Sequence, residues 1–200
     1  MIRLCLRIFL LSGAIFLAAP CTQAQTFMAD LNGASESPPN ASPGTGFALV
    51  TLDSIGNTMD VSVTFSGLLA GNTAAHIHGN TAMPGVGTAG VATTVPTFTG
   101  FPTGVTSGTY DHTFDMTLAS SYNPSFITSH GGTPASAEAA LFTGIMDGTA
   151  YLNIHSRTFP GGEIRGFFRP TPSVPEPGTL SLLSGIGVCA TVFALRRRRR

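Results

Sequence analysis

An all-β fold, an antiparallel Greek-key-like β-sandwich with one short helix, is what this 200-residue sequence predicts for its central part. Three observations lead there. Seven short segments alternate apolar and polar residues with the period of a strand; Gly, Pro, Asn and Asp separate them; and only one stretch carries helical spacing. The length leaves room for about one ordinary domain between two terminal segments of different character.

The first of those segments is residues 1–24. Arg3 and Arg7 precede an apolar run from Ile8 to Ala19, and Pro20 to Gln25 adds a breaker and small residues. This is the layout of a secretory signal peptide, with cleavage between Ala24 and Gln25. The apolar run is shorter than the roughly 20 residues a helix needs to cross a bilayer, so removal by signal peptidase is the expected outcome.

Residues 25–170 form the expected β domain. Met59, Val61, Val63 and Phe65 alternate with Asp60, Ser62 and Thr64, which puts four apolar side chains on one face of a strand. Phe27–Leu31, Phe47–Leu52, Ala74–His78, Thr109–Thr117, Ala150–His155 and Glu163–Phe168 read as the other strands. The helix follows Thr133, a capping residue, and Pro134, suited to a first turn; Leu141 with Ile145 and Phe142 with Met146 fall four apart, and Gly148 can end it. The stretch from Gly79 to Gly108 is rich in Gly, Thr and Pro and reads as a long surface excursion with a weak strand near Thr93–Thr99.

Charge is distributed unevenly along the chain. The ten basic residues are all arginines, and seven of them lie in the terminal segments; the stretch from Asp30 to Arg169 carries nine carboxylates against three arginines. An acidic domain disfavours nucleic acid as a partner, because that interaction is built on cationic contacts to phosphate. The three cysteines, Cys5, Cys21 and Cys189, fall outside the β domain, which therefore has no disulfide, thiolate metal site or cysteine nucleophile.

Two segments concentrate chemistry: Ala74-Ala75-His76-Ile77-His78-Gly79, and Asn153-Ile154-His155 followed by Gly162-Glu163-Ile164-Arg165-Gly166. On a strand, His76 and His78 project from one face about 6 to 7 Å apart. By parity Leu152 and Ile154 face the core while Asn153 and His155 share the other face. His155 is thus a candidate third ligand, and three neutral imidazoles suit zinc or copper. The competing reading has these histidines bonded to backbone or to carboxylates such as Glu163, ordering the sheet. Glu163 and Arg165, two apart, read as an ion pair or turn contact. His112 reads as a packed residue and His130 as a loop residue. No residue set reads as catalytic.

These segments, together with Leu31-Asn32-Gly33, Glu36 and Pro39, resemble the chordin-type (CHRD) domain over about Thr26–Arg169. The resemblance implies an all-β module of poorly defined activity, in which Asn153, Gly162, Glu163, Arg165 and Gly166 belong to the structural motif. The His-x-His strand followed by glycine also resembles the copper strand of copper-zinc superoxide dismutases, although the disulfide cysteines and a histidine-rich zinc loop are missing.

Residues 171–200 complete the chain. Pro175-Glu176-Pro177 precedes an uncharged apolar stretch, 178–195, long enough to span a bilayer as a helix, and five arginines, 196–200, end it. Arginines beside such a helix stay cytoplasmic and leave the β domain outside. The three parts in order resemble the PEP-CTERM sorting signal. That resemblance implies an exosortase-type sorting enzyme as partner, membrane anchoring through the C-terminal helix, and display on the surface or matrix of a Gram-negative bacterium that makes extracellular polysaccharide, a further possible partner. The function expected from all this is an exported, non-enzymatic binding or structural protein of the envelope; the alternative is an exported copper- or zinc-binding domain with redox activity.

Overall fold

Strand alternation carries through to the three-dimensional structure, a computed structural model that describes residues 24–172. Its strands are β1 (Gln25–Asn32), β2 (Thr45–Asp53), β3 (Thr58–Ser66), β4 (Asn72–His78), β5 (Gly108–Asp115), β6 (Tyr151–Ser156), β7 (Ile164–Phe167) and β8 (Arg169–Pro170). Each of the seven expected strands is present. They form one antiparallel sheet in the order β4-β6-β7-β1-β2-β3-β5, with β8 beside β1. The sheet curls around a single apolar core to which Ile77, Leu152 and Ile154 contribute from one end and Met59, Val61 and Val63 from the other. The leader apart from Ala24, the Pro175-Glu176-Pro177 motif, the apolar stretch 178–195 and the terminal arginines lie outside the described residues. Among the described residues no helix is long and apolar enough to cross a membrane.

Local chemistry sets the turns. Between β2 and β3 the Asp53 carboxylate accepts bonds from the Ile55 and Gly56 N–H groups, each 2.9 Å, and Asn57 adopts φ 51° to complete the hairpin. The last expected strand is divided in two. β7 and β8 keep the same register against β1, Asn32 opposite Arg165 and Met28 opposite Arg169, but Phe168 between them is buried and its N–H bonds to Ala150 O at 3.1 Å. This one segment therefore links β6 to β1 in the middle of the sheet. Gly166 permits the join, because a Cβ there would lie 2.3 Å from Asp30 O.

Two α-helices pack beside the sheet. α2 (Pro134–Met146) is the expected one: Thr133 caps it in a reciprocal box with Ser136, Leu141, Phe142 and Ile145 are buried, and Gly148 follows at φ 69°. Met146 is exposed rather than packed, while Ile145 beside it in the last turn stays in the core. α1 (Pro124–Ser129) was not expected, although Asn123 capping Ser125 N and Pro124 in the first turn are start signals visible in the sequence.

The excursion from Gly79 onward runs largely over the surface, as the sequence suggested, but it is pinned to the core at a few points. Ala92, Thr93, Phe98 and Phe101 are buried, and Phe98 stacks on Tyr110 with ring centroids 5.7 Å apart. β4 is an edge strand whose free backbone groups need partners. The loop supplies them: Ala92 N bonds to Ile77 O at 2.9 Å, Phe98 N to Ala75 O at 3.1 Å, and Gly79 N to Gly90 O at 3.2 Å.

Candidate metal centre

Strand pairing at one end of the sheet builds a polar face. In the β4–β6 register His76 lies opposite Asn153, Ala74 opposite His155 and His78 opposite Tyr151; in the β6–β7 register Asn153 lies opposite Arg165 and Tyr151 opposite Phe167. Period-two geometry therefore gathers His76, His78, Tyr151, Asn153, His155 and Arg165 on the side away from Ile77, Leu152 and Ile154. This polar face is nonetheless buried. The loop after β4, the segment around Ser35 and Glu36, and the turn before Gly162 fold over it.

The three histidines expected as ligands come together. His76 and His78 are buried and His155 is half-buried, and one ring nitrogen from each lies within 4.8 Å of the others. The covering loops fix which nitrogen that is. His76 Nε2 bonds to Pro96 O at 2.6 Å, His78 Nδ1 to Ala89 O at 2.9 Å, and His155 Nδ1 to Pro160 O at 2.8 Å. A carbonyl only accepts, so each of those nitrogens carries the proton. The opposite nitrogens, His76 Nδ1, His78 Nε2 and His155 Nε2, hold lone pairs, are buried and have no hydrogen-bond partner. Backbone carbonyls holding the second nitrogen are the usual means by which proteins orient metal-binding imidazoles.

Electrostatics keeps these rings neutral. Burial lowers His76 to about 4, further depressed by the neighbouring His155 and His78, and burial also lowers His78 and His155. A neutral imidazole is the form that binds metal.

Around this cluster stand residues whose role sequence reading missed. Tyr151 stacks against His78 with centroids 4.8 Å apart and planes at 7°. Arg165 lies over the Tyr151 ring, 4.8 Å from its centroid, donates to Gly87 O at 3.0 Å and to Ser35 O, and pairs with Glu36 at 3.9 Å. Glu36 is buried, and desolvation raises its carboxyl to about 7 against the lowering pull of Arg165. No spacing rule connects position 36 to position 165; only folding does.

Glu163 corrects the sequence reading in two respects. It bonds to none of the histidines, and the ion-pair partner of Arg165 is Glu36. Glu163 is fully buried and accepts from Ser42 Oγ at 2.6 Å and Leu69 N at 2.7 Å, tying two loops to the start of β7. The turn contact expected of it is therefore present. Gly162, at φ 137°, has no room for a side chain, since a Cβ would lie 2.6 Å from Glu36 Oε1 and 2.8 Å from Asn153 Nδ2. His112 packs between Tyr110 and Phe114, and His130 caps α1 on the Phe126 ring, as their sequence positions suggested.

Comparison with known families agrees with this architecture. Residues 27–168 match the CHRD domain, and residues 173–200 match the PEP-CTERM protein-sorting motif. No curated protein and no solved structure matches the chain. The sorting motif marks it as an exported, surface-sorted bacterial protein and implies processing by an exosortase-type enzyme. Spanning the sheet, the covering loops and the histidine cluster alike, the match establishes that this chain belongs to the CHRD domain family.

Proposed function

We propose that this surface-sorted chain is a binding module of the cell envelope or extracellular matrix whose β domain holds one copper or zinc ion on His76, His78 and His155. The observation that carries the reading is the convergence of three buried, unpartnered imidazole lone pairs, each fixed by a bond from the opposite nitrogen to a backbone carbonyl. Leaving buried acceptors unsatisfied costs about 1 to 3 kcal/mol each. A bound cation would satisfy all three at once. Each ring then has one nitrogen committed to a carbonyl and one to the ion, which leaves none to move a proton and favours holding a metal over general acid-base catalysis.

The test is the metal content of the purified full chain and its affinity for Cu²⁺, Cu⁺ and Zn²⁺, compared with the His76→Ala/His78→Ala double variant. One ion per chain, lost in the double variant, is the expected result. A folded chain that takes up none of these ions overturns the proposal and leaves the histidines as ties between sheet and loops. If copper binds and cycles between its two states, redox activity joins the binding role. The sorting half has its own check: Pro175→Ala with Pro177→Ala abolishes surface display, and unchanged localisation would contradict it.

A further inference from the structure

We infer that Asn153 contributes a fourth, oxygen ligand through Oδ1, making the centre a three-nitrogen, one-oxygen site that favours divalent ions over Cu⁺. This inference rests on the proposed three-histidine centre. Asn153 is 2% exposed, lies directly opposite His76 in the β4–β6 register and stands two residues from His155 on the same strand. Its amide sits between two groups, the Glu36 carboxyl on one side and the His78 ring on the other. The amide nitrogen faces Glu36, where a Cβ built on Gly162 would touch both Glu36 Oε1 and Asn153 Nδ2.

That orientation turns Oδ1 toward the histidines, and it is buried there with no hydrogen-bond partner. His78 Nδ1 gives its proton to Ala89 O, so Nε2 on the same ring is a lone pair as well. Two acceptors facing each other in a buried space repel unless a donor or cation lies between them. The three imidazole nitrogens lack a donor to offer, because each proton is already spent on a carbonyl. A metal ion resolves the conflict for all four atoms together. An amide oxygen is a hard donor, which adds to the binding of Zn²⁺ and Cu²⁺ and contributes little to soft Cu⁺.

The experiment compares the full chain with Asn153→Ala and Asn153→Asp, using Zn²⁺, Cu²⁺ and Cu⁺ as the probes, together with the electron paramagnetic resonance spectrum of the Cu²⁺ form. In Asn153→Ala, affinity for Zn²⁺ and Cu²⁺ is expected to fall about tenfold or more, affinity for Cu⁺ to stay within about threefold, and the Cu²⁺ hyperfine splitting to change. Asn153→Asp, which keeps an oxygen at the same place, restores divalent binding. An equal loss for all three ions would show a merely structural role and overturn the inference, as would an unchanged spectrum and unchanged affinities. A wild-type chain that binds no metal defeats the three-histidine reading itself, an outcome distinct from metal binding that is indifferent to Asn153.

Discussion

β3 and β6 are strands of the same sheet with opposite relations to solvent. In β3 burial alternates: Met59, Val61, Val63 and Phe65 are in the core while Asp60, Thr64 and Ser66 face water. In β6 nearly every residue is buried, the polar Asn153 and Ser156 included. The core face of β6 resembles that of β3, so the difference lies in what covers the second face. Over β6 and β4 the chain has folded three segments, two of which, the loop after β4 and the turn before Gly162, supply the carbonyl partners of the histidines. A polar face that is exposed needs no special partners, since water supplies them; one that is covered must satisfy its groups from within, and the unpartnered acceptors of His76, His78, His155 and Asn153 mark the place for a ligand.

The sharpest way to break this contrast is to remove the loop's anchor. Phe98 holds the covering loop down in the core, and Phe98→Ala is expected to cost about 3 to 5 kcal/mol in chemical denaturation. Loss of metal uptake should accompany it, whereas a stable, metal-binding Phe98→Ala chain would mean that the cover is not needed. Adding the ion tests the same cover from the opposite direction. Zn²⁺ or Cu²⁺ at a hundredfold its dissociation constant should raise unfolding free energy by about 2.7 kcal/mol, with no such gain in His76→Ala/His78→Ala.

Gly162→Ala probes the contact between Glu36 and Asn153 behind the cluster. Its positive φ and the missing room predict a loss of about 1 to 3 kcal/mol, measured by thermal unfolding, with weaker divalent-metal binding.

Acid should separate the two strands without any mutation. The three histidines of the cluster have folded pKa values lowered below their ordinary 6.5, chiefly by burial, so their contribution to metal-free stability is complete above pH 6.5 and is lost on acidification, for His76 as pH falls through about 4. Glu36 acts in the opposite sense: raised to about 7, it favours the folded state most below pH 4.5 and less as pH rises through 7. With three groups against one, the net expectation is a loss of stability on acidification, steeper in Glu36→Gln, and a flat profile would refute it. At the small end, Ser62→Ala on the outer face of β3 should stay within about 0.5 kcal/mol of the parent.

How much of this was legible beforehand follows from where each signal resides. Strand alternation is local, so all seven strands and the shared face of His76, His78 and His155 could be read from parity alone. The Thr133-Pro134 start of α2 was equally plain, and the Asn123-Pro124 start of α1 carried the same kind of signal over a helix of only six residues. The loop after β4 was legible as a surface excursion, but its core anchors, Ala92, Phe98 and Phe101, were not, because they follow no period. Their burial answers the need of an edge strand for backbone partners rather than any pattern of their own.

The sequence by itself determined the address of the protein, the class of its fold and the identity of its candidate ligands, because sorting motifs, strand periodicity and residue chemistry are written in neighbouring positions. Only the tertiary structure decided that the Arg165 ion pair is made with Glu36, that three loop carbonyls choose the tautomers of three histidines, and that Asn153 Oδ1 is left facing them without a donor. Those contacts join residues up to more than a hundred positions apart, and nothing short of the folded sheet and its covering loops brings them within reach.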